Sequence, residues 1–279
     1  MIKNYIEVLK PRASILLTFI GVCAAIVAGN GNVSLKLLLV AVAVFIASAG
    51  ANGLTNYLDC GIDAKMRRTR DRALPSKRIY PPEKTLPLNL SLVAIGLILA
   101  WLLHPLCFFS DLIGTVAAVF GRKRATCVFP QGMVASCAPV LMGWFAIQHT
   151  FSWEIVLLCA LISIWLPLHV WSVMIANRED YINAGLNFFP MNRETGEAVK
   201  ILFLFSLALG VAAITFYFIA GLTLFYIIVA SLLSLVMIYA STRLAFTNQS
   251  GDAWKLYKLS AFPYLGLIFL AMCLDIWLF

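Results

Sequence analysis

Apolar residues in this chain neither alternate nor keep to one helical face; they run on for lengths that match the hydrocarbon thickness of a bilayer. Such runs occupy approximately residues 13–29, 37–57, 86–104, 105–120, 130–147, 154–175, 201–219, 222–240 and 261–279. A helix needs about 20 residues to cross about 30 Å of hydrocarbon. Backbone groups in lipid must pair within their own segment unless a barrel closes, and runs of this length fit helices rather than alternating strands of about ten residues. The expected fold is therefore all-α: a polytopic bundle of about nine transmembrane helices, forming a single membrane domain over residues 1–279. The fourth run carries Pro105 and Asp111 and must follow the third through a very tight connection; without it every later loop would change sides. The first run lacks an A-x-A cleavage pattern and follows an amphipathic segment 1–12, so it reads as a retained helix rather than a signal peptide.

Composition agrees with this reading. Hydrophobic residues make up 62% of the chain and charged residues 12%, where soluble domains carry about 25% charged residues. The basic residues then set the orientation. With the N-terminus inside, the inner segments collect Lys3, Lys10 and Arg12, eight residues between Lys65 and Lys84, the trio Arg122, Lys123 and Arg124, then Arg178, Arg193 and Lys200, and finally Arg243, Lys255 and Lys258. Of 21 Lys and Arg residues only Lys36 falls outside. That asymmetry is what the positive-inside rule produces, so the net charge of +8 calls for no nucleic-acid partner and places the N-terminus and the longer loops on the cytoplasmic side of the plasma membrane. The seven cysteines are odd in number and contain no C-x-x-C pair, which indicates neither a disulfide framework nor a zinc site.

Ionisable residues concentrate in two inner loops, 59–84 and 176–200, and function is sought there. In the first, Asp59 and Asp63 stand one helical turn apart and share a face. Two unit charges 4 Å apart at an effective dielectric of 20 repel by roughly 4 kcal/mol, so a cation belongs between them. Thr55 and Asn56 add neutral oxygens a turn earlier, a set that suits Mg²⁺. Arg67, Arg68, Arg70 and Arg72 follow, with Lys77 and Arg78 close behind. Guanidinium forks beside metal-holding carboxylates make a diphosphate-binding arrangement. The competing reading is that the arginines enforce topology and the aspartates offset them. In the second loop Asn177, Arg178, Asp180 and Tyr181 cluster at a helix end as a further metal-ligand or diphosphate-contact group, and Gly185 and Pro190 would end or bend the helix and shape a lid. His169 lies within an apolar stretch between Trp165 and Trp171, which either line a flat pocket or simply pack against neighbouring helices. A third inner segment, 241–258, is basic and contains Trp254 and Tyr257, which equally suit an interfacial anchor. Asp111, Glu154 and Asp275, with His104 and His149, fall near the outer ends and are assigned no chemistry.

The two loops resemble those of the UbiA superfamily of intramembrane prenyltransferases, and within it the branch that farnesylates haem. The family's first signature has an Asn, an acid four residues on, another acid four later, then M-x-R-T-x-x-R. Asp59, Asp63, Met66, Arg68, Thr69 and Arg72 keep that register, with Thr55 at the Asn position and Asn56 beside it. The second region is similar to P-H-F-W followed by D-Y-x-x-A-G and P, at Pro167, His169, Trp171, Asp180, Tyr181, Ala184, Gly185 and Pro190. The stretches 9–12 and 122–144 are similar as well. Gly61 and Ala73 depart from the family, which often has another acid and a proline at those positions.

The resemblance implies Mg²⁺-dependent transfer of a farnesyl group from farnesyl diphosphate to the 2-vinyl group of haem B. It implies Asp59, Asp63, Arg68 and Arg72 as catalytic groups, with Asp59, Asp63 and Asp180 as metal ligands. Diphosphate contacts would come from Asn56, Arg68, Arg72, Lys77, Arg178 and Tyr181, and an acceptor pocket from His169, Trp165, Trp171 and Asn177. Membrane lipid is the surrounding partner. Two alternatives stand beside it: another branch of the family acting on an aromatic, quinone-precursor or lipid acceptor, and a transporter or non-catalytic membrane subunit. The second has little support, since no inverted repeat or pair of broken helices is visible.

Overall fold

A computed structural model describes residues 2–120 and 128–279; Arg122, Lys123, Arg124 and Cys127 lie outside the described residues. The fold is helical, and the expected spans are present. Following a short amphipathic α1 (Ile2–Val8) come α2 (Pro11–Ala28), α3 (Leu35–Asp63), α4 (Leu86–Leu103), α5 (Pro105–Val119), α6 (Gln131–Ile147), α7 (Trp153–Ala176), the short α8 (Arg178–Asn183), α9 (Thr195–Ala220), α10 (Leu224–Thr247), α11 (Ser250–Leu259) and α12 (Leu267–Leu278). Seven spans are long and apolar enough to cross a membrane, with α11 and α12 counted as one, and α5 and α6 are shorter apolar helices. Large side chains such as Ile98, Leu102, Ile113 and Phe218 are exposed on the outside of the bundle, as expected where lipid is the solvent.

Local chemistry explains the boundaries. The tight third-to-fourth connection is a single extended residue, His104 (φ −172°). Its Nδ1 accepts a hydrogen bond from Leu106 N at 3.2 Å, capping α5, and Pro105 sits at the first helical position, where a missing N–H costs nothing. The segment 241–258 is not a loop. There α10 continues to Thr247, turns at Asn248 in the left-handed region (φ 52°) and resumes as α11. Asp252 holds that turn through Thr247 Oγ1 at 2.9 Å, Arg243 at 3.2 Å and Lys255 at 3.1 Å. Between α11 and α12 the helix widens over Ser260–Gly266, with Pro263 inside and Ala261 off helical geometry. The carbonyl this frees at Ser260 accepts from Trp165 Nε1 at 2.5 Å.

In the bundle, α2 packs on α3 and α6, α7 packs on α9 and α11, and α12 returns to α2. Lipid-embedded helices approach closely through small residues. A Cβ at Gly143 of α6 would overlap the carbonyl oxygen of Gly21 of α2, so this crossing requires glycine. One length matters for function. With 29 residues, α3 extends about 43 Å, well beyond the about 30 Å of hydrocarbon. Its last two turns, which carry Asp59 and Asp63, therefore reach the polar boundary while remaining packed.

Candidate functional site

Asn56, Asp59 and Asp63 follow one another at i, i+3 and i+7 along α3 and so occupy one face. All three are buried. The chain after α3 folds back over that face: Thr69 Oγ1 donates to the Asp63 carbonyl at 2.9 Å, and Arg72 Nη1 meets Asp63 Oδ2 at 2.9 Å. The Arg72 side chain stays 35% exposed while that of Asp63 is 1% exposed, so the guanidinium keeps donors directed outward while it neutralises a buried acid. Asn56 Nδ2 donates to the Val8 carbonyl at 2.6 Å, tying α1 to the site. Its Oδ1 is a buried acceptor with no hydrogen-bond partner, and a buried amide oxygen in that condition favours a cation. Asn56, Asp63 and Arg72 line a cleft of about 390 Å³ together with Lys10, Arg12 and Glu7.

The second loop docks onto the first. Asp180 Oδ2 accepts from the backbone N–H of Arg68 at 3.1 Å, and its Oδ1 lies 3.9 Å from Arg67 Nε. Arg68 Nη2 donates to Tyr181 OH at 3.2 Å. Arg67, Arg68, Asn177, Arg178 and Asp180 line a second cleft, of about 730 Å³, with Thr195, Asn248 and Ser250. The two loops thus meet at one end of the bundle in a surface rich in guanidinium groups that also carries Asp63 and Asp180.

Several expected members are placed differently. Asp180 holds the Arg68 backbone rather than joining Asp59 and Asp63; among the described residues no three His, Cys, Asp or Glu side chains gather closely enough to hold a metal. Asn56, Asp59 and Asp63 carry side-chain oxygens along one face of α3. Arg178 spends its guanidinium on the carbonyls of Pro190, Met191 and Arg193 at 2.6–3.1 Å, so it fastens the loop that Gly185 (φ 84°) and Pro190 shape. Lys77 is exposed, with Nζ 5.8 Å from the centre of the Tyr80 ring, and lines neither cleft. The aromatic residues divide between two faces of α7. Trp165 and His169, one turn apart, stack at 4.8 Å, and His169 meets Tyr257 of α11 at 4.6 Å and Ser260 Oγ at 3.0 Å. Trp171, two residues further and so about 200° around the helix, meets Phe189 and Phe205 instead. Asn177 caps its own helix by donating to the Val173 carbonyl at 2.8 Å.

Residues 14–270 match the sequence profile of the UbiA prenyltransferase family, nearly the whole chain. The chain belongs to that family. A relative from Desulforudis audaxviator, named protoheme IX farnesyltransferase, is 34% identical over 286 aligned residues covering 99% of this chain and 89% of the relative. Among solved structures, a digeranylgeranylglyceryl phosphate synthase superposes with a TM-score of 0.79 at 17% identity, covering 99% of this chain and 98% of its own. A UbiA homologue from Archaeoglobus fulgidus bound to GPP and Mg²⁺ superposes at 0.66 and 14% identity, over 96% of this chain and 99% of that one. These likenesses show the fold; the family shows a membrane prenyltransferase.

Set against that family, the residues that sequence reasoning missed are Lys10 and Arg12 on one cleft and Thr195, Asn248 and Ser250 on the other. The first pair had a signal: Lys10 precedes a proline at the start of a helix and takes a left-handed backbone (φ 49°), which turns its side chain back to Thr55 Oγ1 at 3.4 Å. The other three come from helix ends far away in sequence, and no local pattern marks them.

Proposed function

We propose that this protein transfers the farnesyl group of farnesyl diphosphate to the 2-vinyl group of haem B, giving haem O and diphosphate, on the cytoplasmic face of the plasma membrane. The observation that carries the reading is the inner cleft, where the buried Asp63 lies 2.9 Å from a half-exposed Arg72 and Lys10 and Arg12 stand at the rim. Full-length similarity to a relative named for haem farnesylation supports the acceptor, and the GPP- and Mg²⁺-bound homologue supports the donor class and the metal.

The donor set fits magnesium. Asp59 and Asp63 supply carboxylates and Asn56 Oδ1 an unpartnered amide oxygen on the same helix face, and this ion is commonly held by one or two carboxylates with substrate phosphate completing the shell. When bound, it supplies positive charge against the diphosphate oxygens. Arg68 and Arg72 add donors that strengthen as charge builds on the leaving group. The farnesyl C1–O bond breaks with its electron pair leaving on the diphosphate, and the vinyl π pair forms the new C–C bond. The porphyrin-stabilised cation that remains takes up water and loses a proton. Tyr181 and Asp180 position Arg68, and Arg178 keeps the 185–193 segment folded beside it.

The test is purified protein in lipid nanodiscs with Mg²⁺, farnesyl diphosphate and haem B, read by mass spectrometry. The expected product is haem carrying farnesyl plus water, formed only with the divalent ion present. Unchanged haem B with alkylation of an added phenolic acid or lipid alcohol would reassign the acceptor to another branch of the family.

A further inference from the structure

Asp111, on α5, is 5% exposed, and its Oδ2 is buried without a hydrogen-bond partner, while Oδ1 accepts only from Thr115 Oγ1 at 3.3 Å among the described contacts. It sits six residues, about 9 Å, into the helix. A carboxyl at that depth is costly unless it serves a purpose. It lines a cavity of about 150 Å³ whose other polar walls are Ser48, Asn52 and Thr55 of α3, Thr115 of α5 and Ser136 of α6. A polar cavity holds a water once it offers about 10–15 Å³ and two or more polar partners, and this one exceeds both conditions severalfold.

The cavity borders the inner site. Asn52, Thr55 and Asp59 lie at i, i+3 and i+7 on α3 and so share a face, and Thr55 stands about 6 Å along the helix axis from Asp59. Thr55 Oγ1 donates to the Asn52 carbonyl at 2.9 Å and accepts from Lys10 Nζ at 3.4 Å. Since Lys10 also lines the inner cleft, the Lys10–Thr55 contact is a wall that the two chambers share.

We propose that this cavity stores the water consumed after farnesyl transfer and that Asp111 accepts the proton released when that water bonds to the cation. The inference rests on the haem reading above. In that step the water oxygen forms a C–O bond to the former vinyl α-carbon, and one of its protons passes to the Asp111 carboxylate. No oxidant or reductant is needed. If water is not delivered, the same cation loses a proton from the neighbouring CH₂ and gives an alkene, so the product is lighter by one water.

The experiment compares Asp111→Asn, Asp111→Glu and Ser48→Leu, the last filling the cavity from the opposite wall, in nanodiscs with Mg²⁺, farnesyl diphosphate and haem B. Diphosphate release and the ratio of hydrated to dehydrated farnesyl haem are both measured. Asp111→Asn and Ser48→Leu should release diphosphate at close to the wild-type rate while the ratio falls by about a hundredfold, the lower end of what a positioned proton acceptor contributes. Asp111→Glu should restore it. An unchanged ratio in either active variant overturns the proposal, and so does loss of diphosphate release in both, which would make the cavity part of the fold or of ionisation. Wild-type protein that makes no farnesylated haem fails the haem reading itself, a result separate from these.

Discussion

The two ends of the bundle each bury an aspartate, and they use it in opposite ways. At one end Asp275 is 2% exposed and fully engaged: Oδ2 accepts from Thr223 N at 2.8 Å, and Oδ1 accepts from Thr223 Oγ1 at 2.5 Å and Tyr226 N at 3.0 Å. It closes the start of α10, satisfying amide groups that a helix leaves unpaired. At the other end Asp63 is equally buried, but among its partners is a long cation at the edge of a cleft, and the buried amide oxygen of Asn56 on the same helix face has no hydrogen-bond partner among the described residues. Burial alone therefore does not mark a functional acid. An acid whose lone pairs are taken up by nearby backbone serves the fold, whereas one paired with a partly exposed cation beside an unpartnered oxygen can bind a ligand.

The largest effect should come from breaking the inner pair. Asp59→Ala and Asp63→Ala should each insert and fold yet lower magnesium-dependent turnover by about 10²–10³, the scale of removing one preorganised electrostatic contact to a transition state. Wild-type turnover in both variants would reject the inner site. Asp180→Ala tests the docking of the second loop. Removing a charge-assisted hydrogen bond to the Arg68 backbone removes about 1.5–3 kcal/mol, and we expect a rise of about tenfold or more in KM for farnesyl diphosphate with a smaller fall in kcat. A smaller step of the same kind is Tyr181→Phe, which deletes one acceptor for Arg68 Nη2; a neutral partner contributes about 0.5–1.5 kcal/mol, so KM should rise only a few-fold.

How far the inner end is legible in sequence follows from the range of its contacts. Asp59, Asp63 and Asn56 are readable because helix periodicity alone places them on one face, and the apolar spans are readable because lipid imposes length and apolarity locally. The segment around Asn248 falls between two apolar runs in sequence, and its polar residues pack into a helix–turn–helix held by Asp252, a contact no hydropathy run reveals. Asp180 belongs to the expected region, and its contact with the Arg68 amide, 112 residues away, lies beyond what local spacing shows. Likewise the three aromatic residues grouped around position 169 span about 160° of helix surface, so closeness in sequence joins side chains that the helix separates.

The contrast between the two acids is finest where almost no change in chemistry is expected. Asp275→Asn keeps the size of the side chain and replaces one acceptor oxygen with an NH₂ that must face the N–H groups of Thr223 or Tyr226. That leaves buried amides unsatisfied, which costs about 1–3 kcal/mol, and the loss should appear as a lower midpoint of thermal unfolding in detergent. Turnover per folded molecule should stay within about twofold of wild type, because the affected helix start lies at the end of the bundle opposite to Asp63. If Asp275→Asn instead lowered turnover as severely as Asp63→Ala while the unfolding midpoint held, a backbone-satisfied acid would be acting in the chemistry, and the distinction between the two ends would fail.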